Sequence, residues 1–293
     1  MSRWKAEIAL GFNAVIWGTT FVLVKSALHQ ISPFLFLALR FSVATVALAA
    51  LFRGRWRGRA PDAPRVTGRM VAAGSMIGVI LFAGYLLQTL GLQSTTAPKS
   101  AFLTGLATVM VPLLAMLVYR IRPRISEVAG VLAATAGMGL MTLEGPIGSI
   151  SRGDLLTFGG AIAFAAHIVA TGHFAERIGY EVLSITQIGA AALAALSLVW
   201  WVETPRIQWQ PLVFWAILGT GVLCTALAFT IQAWAQHYTT STRTALIYAL
   251  EPVVAWFTSF CLAGEGLSGQ AAAGAALILS GVILVEMKPF QAR

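Results

Sequence analysis

The chain has 293 residues, of which 58% are hydrophobic and 11% charged, where a soluble globular chain carries about a quarter charged residues. That composition excludes an ordinary soluble domain and fits a polytopic membrane protein. The net charge of +9 does not signal nucleic-acid binding, because the basic residues gather at the ends of apolar segments, as topology determinants do.

A membrane-spanning helix needs about 20 predominantly apolar residues, and Gly, Pro and charge clusters divide the chain into ten such candidates. They run Ala6–Leu28, Ser32–Phe52, Arg69–Leu92, Pro98–Tyr119, Ile125–Leu143, Asp154–Phe174, Val182–Val202, Pro211–Ala235, Thr242–Ala263 and Leu267–Glu286. The first is long enough to span and lacks a small-residue cleavage site, so it is expected to stay in the membrane rather than act as a secretory signal. Connections are short except the basic Arg53–Gly68 segment with Pro61 and Pro64, which locates any function inside the bundle. Cys224 and Cys261 fall within apolar segments and read as buried free thiols. With a cytoplasmic N-terminus, fifteen of the 20 Lys and Arg residues fall on the cytoplasmic side, and Arg152 and Arg206 fall clearly outside. Both termini are therefore expected in the cytoplasm.

The chain also repeats itself. Subtracting 144 from each position lays Thr239–Pro252 over Thr95–Thr108, pairing Lys99 with Arg243, Ala101 with Ala245, Leu106 with Leu250, Gly130 with Gly274 and Gly137 with Gly281; Gln88 then meets Gln232. A shift of 147 places Trp17-Gly18 over Phe164-Ala165 and Arg40 over Gln187. The halves are about residues 1–146 and 150–293. A five-helix unit repeated once enters the membrane from the opposite side, so the repeats are expected to be inverted, as in many secondary transporters. Lys99 should then lie near the outer face and Arg243 near the inner one, where both are candidates for gating.

The Trp17-Gly18-Thr19-Thr20-Phe21 run, Leu39-Arg40-Phe41, Thr239-Thr240-Ser241 leading to Glu251-Pro252, Gly264-Glu265, and Gly274 with Gly281 resemble the drug/metabolite transporter superfamily. More narrowly, the chain looks like the ten-helix branch with two EamA-type repeats, and within it like bacterial amino-acid exporters, including aromatic amino-acid exporters, and metabolite exporters. The resemblance implies an all-α basket of ten transmembrane helices around a central cavity, in the inner membrane of a bacterium. Two departures stand out. Ala107-Thr108 occupies the place of Glu251-Pro252, and Tyr119-Arg120-Ile121-Arg122 that of Ala263-Gly264-Glu265, so the two gates are expected to differ chemically.

Polar groups at membrane depth need a partner or a water-filled cavity. Arg40, about a third of the way into its span from the outer face, is either an anchor for a substrate carboxylate or a structural residue in an ion pair or a helix-cap contact. Lys25 and Lys99 lie nearer the outer interface, where they would add to a positive outer half of the cavity or simply snorkel. His167 sits near the middle of its span as a candidate substrate or proton ligand. Glu251, next to Pro252, is a candidate for gating or proton coupling, about two helical turns from Arg243. Trp17, Phe82, Tyr85 and Tyr248 lie deep and suit an amino-acid side chain if they face a cavity; Gln88 and Gln232 are candidate hydrogen-bonding groups. Gly130, Gly137, Gly139, Gly274 and Gly281 read as close helix packing.

The expected function is export of amino acids and related small metabolites by a secondary transporter, with a small-molecule substrate and the lipid bilayer as partners. A carrier of sugar phosphates or nucleotide sugars is the alternative within transport, and it calls for more cavity cations. An integral membrane enzyme or a scaffold is the alternative outside it. No paired acidic motif, metal-ligand cluster or phosphate-cradling loop is apparent, so no catalytic residues, cofactor or metal are expected.

Overall fold

The computed structural model describes residues 3–57, 66–95, 97–120, 122–142, 150–254, 256–257 and 268–286. Among them the backbone is helical apart from turns and one antiparallel bridge between Ile31 and Ile207. Lipid offers no hydrogen bonds, so a spanning segment must satisfy its own backbone.

In chain order the helices are α1 (Arg3–Gly18), α2 (Phe21–Ala27), α3 (Pro33–Arg57), α4 (Gly68–Leu92), α5 (Ala97–Gly105), α6 (Ala107–Tyr119), α7 (Ile125–Thr142), α8 (Arg152–Ile178), α9 (Tyr180–Val202), α10 (Pro211–Gly221), α11 (Ala228–Ala235), α12 (Ser241–Tyr248) and α13 (Gly269–Glu286). Among the described residues seven stretches are long and apolar enough to cross a membrane: Arg3–Ala27, Pro33–Gly54, Gly68–Leu92, Lys99–Tyr119, Arg152–Ile178, Tyr180–Val202 and Pro211–Ala235. Ile125–Met141 and Gly269–Val285 are shorter apolar helices. The expected ninth segment is described over α12 and a helical turn at 251–254. Residues 255 and 258–267, which include Cys261 and the Gly264-Glu265 motif, lie outside the described residues, as do residues 58–65, 143–149 and 287–293.

Four of the described crossings are interrupted, one of them at Leu106 between α5 and α6, and at the other three the chemistry of the sequence weakens the helical ladder. Between α1 and α2, Thr20 Oγ1 donates to the Trp17 carbonyl at 2.8 Å and Thr19 Oγ1 to that of Ile16 at 2.9 Å, competing with the backbone for its acceptors. Between α10 and α11 the chain winds as a π-helix over Val222–Leu227, a form that appears mostly as local bulges in α-helices. After α12, Pro252 has no N–H to offer the Tyr248 carbonyl four residues earlier, and the chain turns before helix resumes at Glu251. Elsewhere, α8 passes to α9 through Gly179, whose φ of 79° favours glycine.

Helices approach closely along seams of small residues, as membrane packing requires. On α7 and α13, a methyl added at Gly137 would lie 2.5 Å from the Gly274 carbonyl oxygen, and one at Gly130 would lie 2.8 Å from that of Gly281. The contacts run in opposite sequence order, so the two helices are antiparallel. Helices α4 and α8 meet in the same way through Gly84 against Gly160 and Gly91 against Gly153. Phe36, Phe41, Phe52, Leu81 and Phe82 fill the largest apolar cluster, between α3, α4 and α9, while Ile8, Leu117, Trp200, Trp201 and Trp215 are exposed on the outer surface. Cys224 is a buried free thiol.

The seam yields a stability test. Gly137→Ala forces a methyl into a backbone oxygen and is expected to destabilise the detergent-solubilised protein by about 1–3 kcal/mol, the usual cost of overpacking. Gly219→Ala, where nothing lies within 4 Å, is expected to leave the melting temperature unchanged or slightly raised. Equal melting temperatures for the two variants would refute the close approach of α7 and α13.

Candidate functional site

A central cavity of about 930 Å³ of empty space, open mouth included, runs from Glu251 and Tyr248 to Val24 and Leu92. The helix breaks described above supply much of its wall: Trp17, Thr20, Phe229, Tyr248 and Glu251 all line it beside such a break.

Trp17 is fixed by two of these breaks. Its Nε1 donates to the Cys224 carbonyl in the π-helical turn at 2.8 Å, and its ring packs edge-on to Tyr248 at 4.8 Å and tilted against Phe229 at 5.4 Å. Tyr85 continues the aromatic wall, edge-on to Phe164 at 5.1 Å and to Phe229 at 6.0 Å. Tyr248 Oη accepts from Asn13 Nδ2 at 3.3 Å. The result is a set of rings locked by one another and by hydrogen bonds at their polar tips.

Arg40 lines this cavity and is 4% exposed. Its Nε donates to Thr225 Oγ1 at 2.8 Å and its Nη2 to Tyr85 Oη at 3.1 Å, with the guanidinium 4.2 Å from the centre of the Tyr85 ring. All these partners are neutral. Among the described residues Arg40 has no carboxylate partner, and three of the five N–H groups of a guanidinium remain. Glu251, in the same cavity, forms no hydrogen bond or ion pair among the described residues. The structural ion pair that was one reading of Arg40 is therefore not made here.

The other polar wall residues are bound to their neighbours. Gln88 Nε2 donates to Thr104 Oγ1 at 2.9 Å, and Gln232 Nε2 to Gln236 Oε1 at 3.0 Å. His167 Nε2 lies 2.8 Å from Gln187 Oε1; an amide oxygen only accepts, so this arrangement places a proton on Nε2. The imidazole is 1% exposed and edge-on to Phe229 at 5.3 Å.

Three expectations need correction. Phe82 does not line the cavity: its face of α4 points into the core, where it is 4% exposed. Lys25 and Lys99 do not make the cavity positive. Lys25 Nζ donates to the Thr95 carbonyl, and Lys99 Nζ forms an ion pair with Asp154 Oδ2 at 2.6 Å. Lys99 and Arg243 belong instead to two clasps at the ends of the bundle. In one, Asp154 accepts from Lys99 and, through Oδ1, from Thr95 Oγ1 at 2.6 Å. In the other, Glu7 Oε1 accepts from Arg243 Nη1 at 3.1 Å and from Thr239 Oγ1 at 3.2 Å, while Arg243 Nη2 donates to the Val285 carbonyl at 3.0 Å. Lys25 borders the first clasp and Glu7 forms the second, so the two lie toward opposite ends of the first crossing.

Sequence reasoning missed both carboxylates. Yet the 147 shift that pairs Trp17 with Phe164 also pairs Glu7 with Asp154, and the 144 shift pairs Thr95 with Thr239, so the signal was present. Nothing in the sequence marked Thr225, Phe229 or the π-helical turn. Among the described residues no group of three or more His, Cys, Asp or Glu could hold a metal ion.

Comparison with known proteins gives a consistent picture. The EamA-like transporter family model matches residues 4–143 and again 151–287. An uncharacterized transporter of Archaeoglobus fulgidus is 32% identical over 289 residues, covering 98% of this chain and 88% of its own length. The uncharacterized transporter YvbV of Bacillus subtilis is 24% identical over 98% of this chain and 93% of its own. A crystal structure of a protein 21% identical in sequence superposes with a TM-score of 0.77 over 97% of this chain and 98% of that one, which shows a shared fold.

The His167 contact can be tested alone. Gln187→Leu leaves the imidazole N–H buried without its acceptor, a loss of about 1–3 kcal/mol, and the melting temperature of the purified protein is expected to fall. An unchanged value would mean that Thr171 Oγ1, 3.4 Å from the same nitrogen, takes over the bond.

Proposed function

The chain belongs to the EamA-like transporter family, and on that premise we propose that it moves amino acids and related small metabolites across a bacterial inner membrane by alternating access between two inverted five-helix repeats. The observation that carries this reading is the cavity, where a guanidinium without a carboxylate partner stands among aromatic rings. A carboxylate on the substrate supplies the missing counter-charge, and the rings receive its side chain. Export is the direction that the sequence resemblance favours. A phosphate carrier finds less support, because Arg40 is the sole Lys or Arg among the described residues that line the cavity.

Several contacts support the inverted repeat over about residues 1–146 and 150–293. Gly130 meets Gly281 while Gly137 meets Gly274; each pair is the other with the halves exchanged. The Asn13 Nδ2 bond to the Ala228 carbonyl, 2.8 Å long, stands where Gly160 faces the Gly84 carbonyl in the other half, under the same two shifts. The Asp154 and Glu7 clasps correspond in the same way, and the family model matches the chain twice. Ten crossings follow if the segment beginning with α12 and the two shorter helices also span. Six helical passes then separate Ile31 from Ile207, which agrees with their pairing at one face.

In this reading the clasps are the gates, with Asp154–Lys99 closing the outer end and Glu7–Arg243 the cytoplasmic end. Each holds charged groups that are costly to separate away from water, so opening one end requires its clasp to part while the other holds. Asp154→Asn is expected to raise labelling of a cysteine at Leu92 from outside several-fold, and Glu7→Gln to raise labelling of a cysteine at Ala245 from the cytoplasmic side. Reversed or equal effects would remove the gate assignment.

Transport is tested with purified protein in liposomes and a panel of labelled amino acids and sugar phosphates. Movement of amino acids is expected; folded protein that moves none of them refutes the proposal. Trp17→Ala should reduce transport of bulky apolar amino acids more than small ones, by side-chain contact worth about 1–3 kcal/mol. Arg40→Gln should weaken all carboxylate-bearing substrates, whereas a purely structural Arg40 would show as lower folded yield with unchanged affinity in the surviving protein.

A further inference from the structure

Resting on the reading above, we infer that Glu251 receives the ammonium group of the substrate, so that the cavity selects zwitterions over simple carboxylates. The clasps show how this protein treats charge elsewhere. Asp154 is paired with Lys99, and Glu7 with Arg243 and Arg3. In the cavity the pattern is broken. Arg40 and Glu251 line one space, neither has an oppositely charged partner among the described residues, and no ion pair joins them. A guanidinium and a carboxylate left apart between aromatic walls are costly unless a ligand bridges them.

A molecule with a carboxylate and an ammonium on one carbon has the right pair of charges. Its carboxylate takes the remaining N–H groups of Arg40, which Tyr85 and Thr225 hold in place. Its ammonium has three donors. One goes to the Glu251 carboxylate, and the Tyr248 carbonyl, deprived of its usual helical donor by Pro252, offers another acceptor nearby. The side chain is left to the Trp17, Tyr85, Phe164 and Phe229 rings, which are not required to distinguish the charged ends. Among the described lining residues the Tyr85 and Tyr248 hydroxyls are engaged by Arg40 and Asn13, and His167 Nε2 is committed to Gln187. Glu251 is thus the carboxylate available to a ligand cation at this point of the cavity.

The alternative for an unpaired cavity carboxylate is that it carries a transported proton, and one experiment separates the two roles. Binding of phenylalanine, 3-phenyllactate (hydroxyl in place of ammonium) and phenethylamine (no carboxylate) is measured on purified wild-type, Glu251→Gln, Glu251→Asp and Arg40→Gln proteins. Melting temperatures confirm that each is folded. For ammonium recognition, Glu251→Gln is expected to weaken phenylalanine and phenethylamine about tenfold, the effect of losing a charge-assisted hydrogen bond, and to leave 3-phenyllactate unchanged. Glu251→Asp should restore part of the loss. Arg40→Gln should show the complementary pattern, weakening phenylalanine and 3-phenyllactate. If Glu251→Gln weakens all three ligands equally, or none, or abolishes only pH-driven accumulation in liposomes with binding unchanged, the inference is overturned and the transport reading stands. If the wild-type protein binds no amino acid, both fall.

Discussion

A charge taken into a bilayer must be neutralised where it sits, because no water follows it to the membrane interior. In this chain that constraint sorts the charged residues into two kinds. Those near the ends of the bundle meet partners from distant sequence: Lys99 reaches 55 residues to Asp154, and Arg243 reaches 236 residues back to Glu7. Those lining the cavity, Arg40 and Glu251, do not meet. Since a buried ion pair adds little net stability over an apolar pair, the clasps are better understood as devices for specificity of arrangement than as sources of stability. An incomplete pair facing open space is in turn better understood as half of a ligand site.

The interrupted helices give that space its chemistry. A continuous helix buries its amides in its own ladder and presents only side chains. The π-helical turn and the proline after Glu251 leave backbone acceptors without their usual helical donors, and irregular backbone at membrane depth is tolerated where it lines a cavity. The carbonyl of Cys224 shows the consequence, as it accepts from Trp17 Nε1 and so orients the indole. Thr225, in the same turn, steers Arg40. One local change of winding thereby positions both the aromatic wall and the cation.

Much of this was legible in the sequence, and the remainder was not for a physical reason. Segment length and hydropathy mark the depth of each residue, and depth was enough to single out Trp17, Arg40 and Tyr85, all of which line the cavity. It did not separate Phe82 from Tyr85, three residues apart on α4. A helix apolar on every side carries no signal of which face meets lipid, core or cavity, so the direction of Phe82 became known only from its neighbours in space. The basic residues misled in another way. Position alone sets Lys25 and Lys99 near the end of a span and suggests a positive cavity, whereas the acceptors they meet, the Thr95 carbonyl and Asp154, lie far away in sequence. The internal repeat held the correction, since the carboxylates at 7 and 154 coincide as the cations at 99 and 243 do.

That correspondence also bears on how such a bundle can move. Glycine seams between α7 and α13 and between α4 and α8 bring backbones into close contact, so each pair of helices is held as a tightly packed unit. The ion pairs that join distant segments at the two clasps resist tilting, as do the polar contacts of Asn13, Trp17 and Arg40 nearer the cavity. A rocking motion about the cavity that separates Asp154 from Lys99 compresses the opposite end, where Glu7 and Arg243 remain in contact. In the alternating-access reading, the geometry thus couples the gates without a connecting chain of residues: two similar clasps lie on either side of a pivot, and the pivot is the ligand site itself. A substrate that draws Arg40 and Glu251 together acts at the place where a small change in helix spacing has the greatest effect on both ends.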